Sequence, residues 1–159
     1  MLASQLDIRL IFGIGNADAA YHRTYHNVGI LMAEYLKKSI PERANQTHIN
    51  KGFMNVVGKE VARALKKNHI APTHLLVIHD DSDIPLGRFK LSFDRNSAGH
   101  KGIESIIQSL KTKAFWRLRI GIRALRNTRP AEQFVLKRIT AAHLKQLETV
   151  FASALRPLQ

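Results

Sequence analysis

A three-layer α/β sandwich is the fold class predicted, with a central mixed, mostly parallel twisted sheet flanked by helices. Three observations predict it. Short apolar runs alternate along the chain with longer segments of helical periodicity. The most apolar stretches, around Leu10–Ile14 and Leu75–Ile78, read as strands buried on both faces, which is how sheets covered by helices are built. No repeat, low-complexity tract or Pro/Gly/Ser linker divides the chain, so residues 1–159 are expected to form one domain.

The elements follow in order. Ile8–Ile14 is a buried strand running into Gly13-Ile14-Gly15-Asn16. From His26 to Lys38 the apolar residues Val28, Leu31, Met32, Tyr35 and Leu36 recur at helical spacing, and Pro41 stops the helix. Glu42–Asn50 is polar and predicts a loop. A second helix covers Val56–Asn68, with Val57, Val61, Ala64 and Leu65 on one face. Leu75–Ile78 is a second buried strand that ends in a cluster of acids. Phe89, Leu91 and Phe93 alternate with Lys90 and Ser92, as in a half-exposed strand. Asp94–Gly99 is loop, and Ile103, Ile106, Ile107 and Leu110 form a helix face. Trp116–Ile122 is a further strand. Thr140 caps a last helix with Leu144, Leu147, Phe151 and Leu155 turned inward.

Charge narrows the function classes. Lys and Arg number 25 against 12 Asp and Glu, a formal charge of +13, which points to a polyanionic partner. The bases lie on strands and loops, not on one amphipathic helix, so nucleic acid is favoured over a membrane surface. The absence of cysteine excludes a thiol nucleophile, a disulfide scaffold and a Cys-based metal site. The apolar stretches are too short to span a bilayer. Met1–Leu10 carries Asp7 and Arg9 with no basic-then-apolar run, so it does not read as a secretory signal, and the expected location is cytoplasmic.

Ligand sites in such sheets lie beyond the carboxyl ends of the strands. One buried strand ends in Gly15-Asn16, followed by Tyr21, Thr24, His26 and Asn27; the other ends in His79-Asp80-Asp81-Ser82-Asp83. His26 reads as a general base or as a capping histidine. The three acids read as a divalent-metal site, as a carboxylate orienting a histidine, or as a solvated turn. Gly99-His100-Lys101-Gly102 enters a helix, where an anion is favoured. Arg117 and Arg119 alternate on a strand and with Arg88 and Lys90 would make a phosphate clamp.

Taken together, five ordered blocks resemble the bacterial-type peptidyl-tRNA hydrolase family over nearly the whole chain. They are Gly15-Asn16 with Tyr21, Thr24 and His26-Asn27-Val28-Gly29; Phe53-Met54-Asn55 with Gly58; His79-Asp80-Asp81-Ser82-Asp83; Gly99-His100-Lys101-Gly102; and Arg117-Leu118-Arg119-Ile120-Gly121-Ile122. The resemblance implies cleavage of the ester between a peptide and tRNA, recycling stalled peptidyl-tRNA without metal or other cofactor. It implies His26 as base, Asp80 as its orienting carboxylate and Asn16 as the amide that helps tell blocked from free aminoacyl groups. It assigns substrate contact to Tyr21, Asn27, Phe53, Met54, Asn55 and Lys101, and a tRNA phosphate clamp to Lys90 and Arg119. The implied partner is peptidyl-tRNA, held by its acceptor stem and 3′ end, and the implied state is a monomer. The chain departs from the family pattern at Ala17-Asp18, at Tyr25, over Ile49-Asn50-Lys51-Gly52 and at Lys101, and the segment from His26 to Phe53 is shorter than usual. Two other readings compete: a non-catalytic RNA-binding paralogue on the same fold, and a metal-dependent phosphotransferase or nuclease using Asp80, Asp81 and Asp83.

Overall fold

The computed structural model describes residues 6–159; the reading of the chain's start falls in part on residues 1–5, outside those described. Five strands form one sheet in the order β2-β1-β3-β5-β4. They are β1 (Leu10–Gly13), β2 (Thr47–Ile49), β3 (Leu75–Pro85), β4 (Phe89–Phe93) and β5 (Trp116–Arg123). All pairings are parallel except β4 with β5. Four helices cover the sheet: α1 (Val28–Ser39), α2 (Val57–Lys67), α3 (Lys101–Leu110) and α4 (Ala141–Ala154).

Strand alternation divides the interior into two cores. Ile11, Leu76, Ile78, Leu118 and Ile120 point to the layer made by Met32 and Leu36 of α1 with Leu147 and Phe151 of α4. Leu10, Phe12, Leu75 and Val77 point the other way, to Val57 and Val61 of α2 and Ile103 and Ile106 of α3. The three-layer sandwich is therefore a direct result of which residues are apolar on each strand. Helix α1 lies very close to the sheet because Gly29 sets its backbone against the carbonyls of Ile14 and Ile78, where a Cβ would overlap both oxygens. Thr140 caps α4, its hydroxyl accepting from the His143 N–H at 3.2 Å.

Three expectations change. The polar segment expected as loop holds a 3₁₀ turn (Pro41–Gln46) and the edge strand β2, paired in register with β1 from Ile11↔Thr47 to Gly13↔Ile49. Three residues are too few to show alternation, so only the neighbouring strand reveals this one. Second, β3 does not end at Ile78: it continues to Pro85 and carries the acids within it, paired with β5 through Asp81↔Gly121. Third, His26 lies on a 3₁₀ turn (Tyr25–Asn27) that feeds α1, not on the helix itself.

Candidate functional site

The loop after β1 is held by two buried carboxamides. Asn50 brackets Gly15: its Oδ1 accepts from the Gly15 N–H at 2.8 Å and its Nδ2 donates to the Gly15 carbonyl at 2.6 Å. Asn27 does the same for Asn16, accepting from its N–H and donating to its carbonyl, both at 2.8 Å. With its backbone clamped, Asn16 turns its own Oδ1 to accept from the Met54 N–H at 2.9 Å. A backbone N–H can only donate, so this contact fixes which end of the Asn16 amide is oxygen. The Nδ2 donors are left for the cavity that Asn16 lines.

Midway along β3, Asp80 is 2% exposed and its two oxygens serve two histidines. His26 Nδ1 donates to Oδ2 at 2.7 Å and His100 Nε2 donates to Oδ1 at 2.8 Å. His100 caps α3, its Nδ1 accepting from the Ile103 N–H at 3.3 Å, so its proton must reside on Nε2. That tautomer satisfies both contacts. For His26 the same logic places a proton on Nδ1 and leaves the Nε2 lone pair for the cavity. Behind these, His79 is fully enclosed. Its Nδ1 donates to the Asp80 carbonyl at 2.7 Å and its ring meets His100 edge-on at 4.8 Å. His79 Nε2 has no partner among the described residues.

The electrostatics follow from these contacts. Burial would raise the Asp80 pKa, but the neighbouring His26 and His100 hold it far below the usual carboxylate range. Burial likewise opposes protonation of His26. The charge of Asp80 and its hydrogen bond outweigh that, the charge of Lys101 works in the opposite sense, and the net shift is upward. Burial drives His79 well below the usual imidazole value, so it stays neutral.

These groups open onto a cavity of about 390 Å³. It gathers Asn16, His26, Asp80, Phe53, Met54, Asn55 and Lys101 from four separate segments. Phe53 is 56% exposed and lines the cavity together with Val135 and Leu136. Four predicted residues lie elsewhere. Asn27 is buried behind Asn16, and Tyr21 is half-buried in the 3₁₀ turn Ala19–Tyr21. Lys90 is exposed on the edge strand β4 and is paired in register with Arg119. Arg119 itself is 4% exposed, its Nε donating to Asp81 at 2.8 Å and its Nη1 to Ser92 at 3.2 Å. Arg117 is also enclosed, donating to the carbonyls of Arg95 and Asn96. Burial and the charge of Arg119 push its pKa down to about 10.

The three acids do not converge. Asp80 meets histidines, Asp81 meets Arg119, and Asp83 is exposed. Among the described residues, His26, Asp80 and His100 do offer three ligand atoms within 4.8 Å of one another. Both histidines stand at direct hydrogen-bond distance from Asp80, each on a different oxygen, so a cation bound by all three would displace both ring protons. Sequence reasoning gave no role to His100, His79 or Asn50. His100 had a signal, since it stands in Gly99-His100-Lys101-Gly102; Asn50 had none.

The chain is similar to known proteins over most of its length. The sequence model of the family described as peptidyl-tRNA hydrolase matches residues 10–159. The peptidyl-tRNA hydrolase of Aquifex aeolicus (strain VF5) is 32% identical, over 96% of this chain and 89% of that protein. The one from Sulfurihydrogenibium sp. (strain YO3AOP1) is 34% identical, over 92% of this chain and 87% of its own. The crystal structure of the peptidyl-tRNA hydrolase from Acinetobacter baumannii superposes with a TM-score of 0.82 at 25% identity, covering 96% of this chain and 87% of that one.

Proposed function

The chain belongs to the peptidyl-tRNA hydrolase family, and on that premise we propose how it cleaves the ester between a peptide and tRNA. The observation that carries the mechanism is the 2.7 Å contact between His26 Nδ1 and Asp80 Oδ2, which leaves Nε2 free as a base. A water beside Nε2 gives up a proton to His26 as its oxygen attacks the ester carbonyl. Asp80 stabilises the imidazolium that forms, through the hydrogen bond already in place. The Nδ2 of Asn16, with Asn55 across the cavity, donates to the carbonyl oxygen as it gains charge. The bond to the ribose oxygen then breaks and His26 returns the proton to that oxygen. The peptide leaves as a carboxylic acid and the tRNA as a free hydroxyl.

Around this centre, Phe53, Met54 and Lys101 contact the substrate at the cavity, while Asn27 acts indirectly by holding Asn16. Tyr21 acts through the turn that precedes His26. Lys90 offers the free charge for a tRNA phosphate, with Arg119 beneath it. The acceptor stem and 3′ end are the parts of tRNA in contact, and the chain works as a monomer in the cytoplasm. No helix among the described residues is long and apolar enough to cross a membrane. An intact base and orienting carboxylate favour turnover over the non-catalytic RNA-binding reading. The test is His26→Ala with N-acetylated aminoacyl-tRNA as substrate: kcat is expected to fall about 10²–10⁴-fold. A loss under tenfold would overturn the assignment.

A further inference from the structure

A second concavity, of about 270 Å³, lies on the other side of the segment that carries His26. It is lined by Ala19, Ala20, His22, Arg23, Thr24 and Arg138. The 3₁₀ turn Ala19–Tyr21 and two paired pieces of chain make it. Thr24 pairs with Arg138 in an antiparallel bridge, and the Ile139 N–H donates to the Arg23 carbonyl at 2.8 Å. The pairing continues toward the catalytic residue, with the Tyr25 N–H on the Lys137 carbonyl and the His26 N–H on that of Val135 at 2.8 Å. One backbone zipper therefore holds both the hollow and His26. The loop before Ile139 faces the catalytic cavity through Val135 and Leu136 and the hollow through Arg138.

The hollow is cationic and its nearby acids are engaged. The Asp18 carboxylate accepts from the Ala20 N–H at 2.9 Å, and Glu34 stands 3.7 Å from His22 Nε2. Among the described residues, neither Arg23 nor Arg138 has a carboxylate within ion-pair distance. Both arginines are exposed, and the small side chains of Ala19 and Ala20 line the hollow with them. This differs from the Arg119 side of the molecule, where Asp81 already neutralises the guanidinium.

We propose that this hollow binds a backbone phosphate of the tRNA, held by Arg23 and Arg138. A guanidinium fork suits a phosphate's paired oxygens, and both arginines can present one without breaking an existing pair. Arg23 stands three residues from His26, so the Cα atoms of the two are at most about 10–11 Å apart. A phosphate held there registers the acceptor end against the base without reading sequence. The proposal rests on tRNA being the substrate, and it assigns the contact to residues that none of the five sequence blocks contains.

The test is the double variant Arg23→Gln/Arg138→Gln, with Lys66→Gln/Lys67→Gln as a charge-matched control at the end of α2 away from Met54. Equilibrium binding of uncharged tRNA is measured across a salt series, which needs no catalysis. The first variant is expected to weaken binding about tenfold and to make the log K against log salt slope shallower by about 1, as losing one phosphate contact removes roughly one released counterion. The control is expected to change neither beyond twofold. KM for N-acetylated aminoacyl-tRNA is expected to rise in step, and the rise to be confined to substrates carrying the stem. An N-acetylated aminoacyl ester of a short CCA-ended oligonucleotide provides that comparison. Unchanged tRNA affinity and slope would overturn the proposal, and so would an equal loss on the stemless ester, which would assign the arginines to positioning His26. A parent that binds tRNA but hydrolyses neither substrate would overturn the hydrolytic mechanism while the binding series still decides this site.

Discussion

Asp80 and Asp81 are consecutive carboxylates on one strand, 2% and 7% exposed, yet they have opposite fates. Asp80 faces two histidines at 2.7 and 2.8 Å. Asp81 faces one arginine at 2.8 Å. Side chains on a strand alternate faces, so neighbours in sequence enter different surroundings. Histidine exchanges a proton near neutral pH and has a second nitrogen for chemistry, so the Asp80 side is reactive. Arginine does not deprotonate, so the Asp81 side is an inert clamp joining β3 to β5. What differs is the titration range of the partner, not the carboxylate.

Isosteric amides break the comparison most strongly. Asp80→Asn is expected to lower kcat by about 10–10³-fold, less than His26→Ala, because it corrupts the ring's orientation and tautomer and leaves the base in place. Hydrolysis of N-acetylated aminoacyl-tRNA measures it. Asp81→Asn is expected to act on stability instead. It strands the Arg119 guanidinium without a counter-charge, a loss of about 3–5 kcal/mol in denaturant unfolding. The two carboxylates would prove equivalent if Asp81→Asn matched Asp80→Asn in kcat with no change in unfolding midpoint.

A pH profile sharpens the comparison further. His26 must be neutral to act, and its pKa is raised, so kcat/KM is expected to fall on the acid side with an apparent pKa above about 6.5. Lys101→Ala removes a charge that opposes protonation and should move that limb upward; Asp80→Asn should move it downward. The same shift stabilises the fold: its contribution is complete below about pH 6.5 and is lost as pH rises through the higher folded value. A limb that ignores both substitutions would mean another group titrates. The smallest effect expected is at α4, whose cap bonds to neither carboxylate. Thr140→Ala removes the cap on the His143 N–H and should cost about 1 kcal/mol, read as a lower Tm with kcat unchanged.

Much of the fold was legible because burial leaves a periodic trace. Val28, Met32 and Leu36 on α1, and Val57, Val61 and Leu65 on α2, are buried as their spacing requires. β2 left no such trace, being three residues at a sheet edge. The acids hid the far half of β3, since polar residues in a strand look like a turn until their partners are known. Arg117 and Arg119 shared a face as expected, but that face is interior, where one guanidinium meets backbone carbonyls and the other a carboxylate. His100 was within a recognised block, yet its tie to Asp80 spans twenty residues and depends on where α3 begins.

By itself, the amino-acid sequence determined the layers, the segments that carry polar groups, and the succession His79-Asp80-Asp81 that must point to alternating faces. Those properties follow from local backbone geometry and from the separation of apolar and polar residues, which act over a few residues. Only the tertiary structure decided which partner each carboxylate meets, because those partners arrive from α3, β5 and the turn before α1. A proton on His26 Nδ1 and a permanent charge beside Asp81 are consequences of that assembly, and hydrogen bonds near 2.8 Å cannot be inferred from one chain segment alone.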